Sequence, residues 1–327
     1  MAQPQAMAEL WRGGILESVH LGHAVICDGK GVVEAWGDPD AVIFPRSSCK
    51  MVQALPLMES GATLSQTQQA LVCASHQGAA LHTGHVARWL ADLGLSEADL
   101  RCGAHEPYDR DARDRLIVAG TRPCQLHNNC SGKHAGFLML NQRMKGDAEY
   151  VDPAHPMQGA IRQAFEEVTG EASPGYGLDG CSAPNFATSI TGLARAMAAF
   201  ANATGEGNAR DRAMFALTRA MGAYPELVAG EGRACTELMQ AMGGRVAIKT
   251  GAEAVFVAIV PERRMGIALK ITDGGTRGAE AAIAALLVRL GVLEAGHPAT
   301  LKRLNAVQRN WRGFETGVFR AAPGFPA

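Results

Sequence analysis

Residues 44 to 53 read FPRSSCKMVQ and place Ser47 three positions ahead of Lys50. On a helix, residues three apart share a face, so a hydroxyl at 47 and an amine at 50 can meet, above the positive helix end. A serine activated by a lysine needs that geometry. The same residues also fit a plain N-cap, with Ser47 or Ser48 opening a helix through Met51, Leu55 and Met58. Cys49 is a third nucleophile by type, but on a helix starting at Ser47 it sits about 200° round from that serine and is discounted.

A second chemical signal is Lys249-Thr250-Gly251, which ends the apolar stretch RVAI and so belongs on a strand near a sheet edge. The glycines of GYGLDG (Gly175, Gly177, Gly180) match a dinucleotide fingerprint, yet the polar TGEASP before them is not a buried strand, so a nucleotide site is rejected.

These residues need a scaffold. SVHLGHAVIC and GVVEAW flank Asp28-Gly29-Lys30, and a D-G pair between apolar runs predicts a hairpin. From Ser47 to about Glu226 the spacing turns helical, in SQTQQALVCAS, HVARWLADLG and NFATSITGLARAMAAFAN. Strands return in RVAIKTG, AVFVAIVP and MGIALKIT, with Glu262, Arg263 and Arg264 as the turn between the last two. RGAEAAIAALLVRLGVL is a closing amphipathic helix. The expectation is one catalytic unit of α+β type: an antiparallel sheet from both chain ends, residues 13–46 plus 244–300, with a helical insert over 47–243.

Whole-chain properties narrow the class. With 327 residues, 47% apolar and 19% charged, the chain can bury a large core. A formal charge of -1 offers no basic face for nucleic acid or anionic membrane. The segment MAQPQAMAELWRGG has neither basic start nor apolar centre, and no run approaches a membrane span, so a cytoplasmic location is expected. Eight unpaired cysteines in a chain that needs no staples are read as reduced.

The order of hairpin, S-x-x-K, helical insert, K-T-G strand, two strands and closing helix resembles the serine hydrolases that recognise penicillin, although their middle S-D-N element is missing. In its place stand ASHQGA, with Ser75, and HNNCSGKHAGF from His127 to Phe137. Together with FPRSSCKMVQALPLMESG, GLDGCSAPNFA and KTGAE, these resemble the rhizobial-type, or class 3, L-asparaginases from about Gly13 to Gly291.

The resemblance implies a β-lactamase-like fold, hydrolysis of L-asparagine and a homodimer. It also implies two serine/lysine tandems, Ser47 with Lys50 and Ser75 with Lys249, and a zinc ion held by Cys130, Lys133 and Cys181. Asp179 suits an amino acid's ammonium group, while Arg46 and His134 become candidates for the substrate shell; in L-D-G, Asp179 is equally a turn residue. From residue types alone the zinc site is the weaker reading, because two distant cysteines are usually core residues, lysine is not an ordinary zinc ligand and no C-x-x-C spacing is present. Two rivals stand beside this reading: another serine acyl hydrolase acting on glutamine, β-lactams or D-Ala peptides, and a non-catalytic zinc or amino-acid sensor.

Overall fold

The Asp28-Gly29-Lys30 turn closes as expected: Asp28 Oδ1 accepts the backbone N–H groups of Lys30 and Gly31 at 2.7 and 3.1 Å. It joins strand Ile15–Asp28 to strand Gly31–Trp36 in antiparallel register. The computed structural model describes residues 2–326. Its main sheet runs, neighbour by neighbour, through Ala306–Arg309, Glu315–Ala321, Gln5–Arg12, Ile15–Asp28, Met265–Ile271, Val255–Val260 and Ala247–Gly251. Gly31–Trp36 pairs beside Gln5–Arg12 on the long strand. Every pairing is antiparallel.

All six residues of Val255–Val260 are buried, so both faces of the sheet are covered there. The covering helices are Ile190–Asn202 from the insert and Thr276–Arg289, the closing helix. The central strands and these helices join a single large hydrophobic core that continues into the insert.

Two features depart from the sequence expectations. The sheet extends past residues 13 and 300, taking in Gln5–Arg12 on one side and two strands from 306 to 321 on the other. These pieces carry Glu, Gln, Ala and Gly, which have low strand propensity, so their pattern was weak. The helix drawn through Met51, Leu55 and Met58 is also broken into Lys50–Gln53 and Leu55–Glu59. Pro56, in the first turn of the second piece, has no N–H to give the preceding turn.

Among the described residues, no helix is long and apolar enough to cross a membrane. All eight cysteines are free thiols.

At Gly266 the sheet packs directly on the backbone of the Ile190–Asn202 helix. A Cβ there would lie 2.1 Å from the Ala198 nitrogen and 2.4 Å from the Ala194 oxygen, backbone atoms that cannot swing aside. Gly266→Ala should therefore lower unfolding free energy by about 1–3 kcal/mol or more in urea titration. Gly84→Ala, in helix Ala80–Asp92 with nothing within 4 Å of the new carbon, should be neutral or stabilising by up to about 1 kcal/mol. Equal effects at the two sites would contradict this packing.

Candidate active site

The turn that carries Ser47 is held from three sides. Strand Val42–Ile43 pairs with Thr188–Ser189 and delivers the chain to Pro45. Arg46 then adopts φ 53°, a left-handed conformation uncommon for a residue with a side chain. A single 3-10 turn, Arg46–Cys49, leads into Lys50–Gln53.

Within this turn the neighbouring polar groups are spoken for. Ser48 is buried, and its hydroxyl donates to the Pro45 carbonyl at 2.7 Å. The Cys49 thiol is also buried and donates to the Arg46 carbonyl at 3.2 Å, and burial pushes its pKa up to about 12, so it is a poor nucleophile. Ser47 is half-buried, lines the cleft, and makes no side-chain hydrogen bond among the described residues.

The K-T-G strand presses against the same turn. A Cβ at Gly251 would lie 2.6 Å from the Pro45 oxygen and 3.1 Å from the Ser48 nitrogen, which is why that position takes glycine.

Lys50 points into the protein. Its Nζ donates to the Ala74 carbonyl at 2.5 Å and lies 3.0 Å from Ser75 Oγ and 3.1 Å from Cys130 Sγ. Ser75 is fixed by its backbone N–H, which donates to the Val228 carbonyl at 2.8 Å. The hydroxyl bonded to Lys50 is thus that of Ser75. Among the described residues, no hydrogen bond joins Ser47 to Lys50 or Ser75 to Lys249.

Lys249 is wholly buried and donates to the Thr250 carbonyl at 2.8 Å. Burial, and next the charge of Lys50, lower its pKa to about 7. Part of this population is neutral near neutrality, as a lysine that handles protons must be.

Cys130 immediately precedes helix Ser131–Met144, and Lys133 lies in its first turn. Lys133 Nζ sits 3.2 Å from Cys181 Sγ, on a loop where Ser182 takes φ 68°. The Cys130 thiol donates to Asn129 Oδ1 at 3.1 Å, and the nearby Cys130 sulfur and the Lys133 charge bring the Cys181 pKa well below its ordinary value, while that of Cys130 rises beside Cys181. The pair therefore holds its negative charge on Cys181, and the two sulfurs raise the Lys133 pKa against the penalty of burial. Two sulfurs and an amine lie close together, a donor set suited to a thiophilic ion. No cluster of three or more His, Cys, Asp or Glu groups suited to a metal is present among the described residues.

Asp179 sits at the rim, where its Oδ1 accepts from Arg46 Nε and Nη2 at 3.1 and 2.7 Å. Arg46 leads the interactions that hold the Asp179 carboxyl below its usual range in spite of burial. His134 lies elsewhere: it is buried behind Lys133, its Nδ1 pairs with the Tyr150 hydroxyl at 2.9 Å, and it does not line the cleft.

The cleft has a volume of about 510 Å³, the size of a small-molecule site. Ser47, Ser75, Cys130, Asp179 and Cys181 share its wall with Thr250. Lys50, Lys133 and Lys249 stand directly behind that wall. The sequence reading missed His105, Tyr108, Asn129 and Arg233, which line it too. His105 accepts the Asn129 N–H at 2.8 Å, tying its loop to the Cys130 segment. A lone histidine or arginine in a loop carries no spacing signal by which to find it.

Comparison with solved structures gives distant likenesses. A candidate β-lactamase from Bacteroides dorei DSM 17855 shares 12% identity over 83% of this chain and 93% of its own, with a TM-score of 0.46. The native form of Mglu shares 14% over 88% and 69%, with a TM-score of 0.43. D-alanine carboxypeptidase AmpC from Burkholderia cenocepacia shares 14% over 83% and 93%, with a TM-score of 0.40. No curated protein sequence matches. The model of the L-asparaginase II family matches residues 8–321, nearly the whole described chain, and on that match the chain belongs to the L-asparaginase II family.

Proposed function

We propose that this protein is an amidohydrolase that converts L-asparagine to L-aspartate and ammonia by acyl transfer through serine. The observation that carries this reading is a cleft lined by two hydroxyls, Ser47 and Ser75, with the buried Lys50 amine 3.0 Å from Ser75 Oγ and a second buried amine, Lys249, depressed to about 7. Family membership supplies the substrate class.

Ser47 is the attacking group, because its hydroxyl is the more open to the cleft and is not committed elsewhere. Its proton passes to the Ser75–Lys50 pair as the C–O bond forms, and Lys249 accepts or returns protons behind it. Ammonia leaves with a proton returned from the lysines, and water then cleaves the acyl-serine to aspartate. Asp179 binds the substrate ammonium, with Arg46 holding the carboxylate in place. Cys130, Lys133 and Cys181 would hold a zinc ion, and lysine ligation requires that Lys133 first give up its proton. When bound, that ion would supply a Lewis acid that orients the substrate beside the serines. A homodimer in the cytoplasm completes the proposal.

Ammonia release from L-asparagine, L-glutamine and a chromogenic β-lactam, with and without chelator, tests the function. Asparagine should be the best substrate, and no ammonia from it in zinc-supplemented buffer would sink the proposal. Ser47→Ala should lose at least about 10³-fold in kcat, and a covalent adduct trapped from wild type should map to Ser47 by mass spectrometry; mapping to Ser75 would reverse the assignment.

The pH profile follows from Lys249. The neutral amine is the proton acceptor, and it predominates above its folded pKa, so kcat/KM should rise as pH increases through about 7. A profile that is flat between about pH 6 and 8 would contradict the role, since a titrating base must change the rate across its own pKa.

A further inference from the structure

We infer that Arg233 binds the α-carboxylate of the substrate, so that the site selects free amino acids over amides lacking that group. This rests on the asparaginase reading above. Arg233 shares the cleft wall with Ser47 and Asp179 and is half-buried. Its guanidinium makes no hydrogen bond or ion pair among the described residues, whereas the other arginine of the cleft, Arg46, is engaged through two nitrogens by Asp179. Glu280, whose carboxyl feels the Arg233 charge, makes its ion pair with Arg303 at 3.4 Å and none with Arg233.

Local structure makes this placement costly without a ligand. Arg233 is the N-cap of helix Ala234–Ala241 and offers that helix no side-chain cap bond. A cation there opposes the helix dipole, whose N-terminus favours an anion. Its charge also reaches Lys249 and helps lower that amine's pKa. An arginine kept at such a position, in a half-desolvated cleft, with five donors in a planar fork, is suited to a carboxylate. The segment that delivers it, Ala229-Gly230-Glu231-Gly232, runs through two positive φ values, 115° at Gly230 and 72° at Gly232, so its path depends on those glycines.

Asparagine presents three polar groups, and the cleft now has a partner for each. The side-chain amide meets Ser47, the ammonium meets Asp179 and the carboxylate meets Arg233. Because Asp179 is already balanced by Arg46, an unpaired positive charge remains for the third group.

The test compares L-asparagine with 3-aminopropanamide, which keeps the amide and the ammonium and lacks the carboxylate. The zinc-supplemented wild type should favour asparagine by about 100-fold or more in kcat/KM. Arg233→Gln should lose most of that preference, chiefly through the KM of asparagine, and the ratio of the two substrates in one protein is the readout because any change at Lys249 acts on both alike. Arg233→Lys should recover part of the loss. Calorimetric binding of L-aspartate and β-alanine to the same proteins gives a second readout that needs no turnover: Arg233→Gln should weaken aspartate and leave β-alanine unchanged. Equal loss for both members of either pair, or no loss for either, overturns the assignment. A wild type that binds L-aspartate through Arg233 yet releases no ammonia from asparagine overturns the functional reading and leaves the carboxylate contact standing.

Discussion

Three lysine amines, Lys50, Lys133 and Lys249, are buried within one small region, and everything around the cleft can be read as compensation for them. Taking one ammonium group out of water costs several kcal/mol even after relaxation, and like charges nearby add to it. Each amine therefore needs either a partner or a lost proton. Lys50 has a carbonyl, a hydroxyl and a sulfur; Lys133 has the Cys181 thiolate; Lys249 has one carbonyl and a pKa pulled down to about 7. The three solutions differ, and that difference separates the chemistry. In the proposed reaction the amine with the fewest partners, Lys249, moves protons, and the one beside Cys181, Lys133, is a proposed zinc ligand.

The fold serves this arrangement by bringing three distant segments and the edge strand to one cleft. Ala247–Gly251 carries Lys249 and, through Gly251, presses on the turn of Ser47. Cys130 and Lys133 come from the start of one helix, and Cys181 and Asp179 from a tight loop locked by Arg46. Two residues with positive φ, Arg46 and Ser182, stand at the two loops that supply the Ser47 hydroxyl and the Cys181 sulfur. Conformations of that kind persist where surrounding structure over-determines them, as it does at both places here.

Much of this was legible beforehand. The Asp28-Gly29 hairpin, the K-T-G edge strand, the Glu262–Arg264 turn and the closing helix carry local signals that the structure follows, because each depends on turn chemistry or on a clear apolar period. The outer strands at 5–12 and 306–321 were not legible, since their burial comes from neighbours rather than from pattern. At the site, the spacing of Ser47 and Lys50 pointed to a shared face but not to the bond that forms. Lys50 meets Ser75, 25 residues on, through a contact that depends on how the Gln66–Val72 helix docks. His134 adjoins Lys133 in sequence, yet turns to Tyr150 because consecutive helix residues face different ways. Arg233 could not be singled out at all, because its significance lies in what it does not touch.

The central claim is that Lys249 sheds its proton near neutrality because it is buried beside Lys50. Its most direct test is an NMR titration of side-chain-labelled lysine in the intact protein, with Lys249→Met used to assign the signal. The account predicts one lysine resonance with a midpoint near 7 that the variant lacks. If that resonance titrates instead at about 10.4, the ordinary value for lysine, the amine is charged throughout the working range and the proposed proton path is wrong.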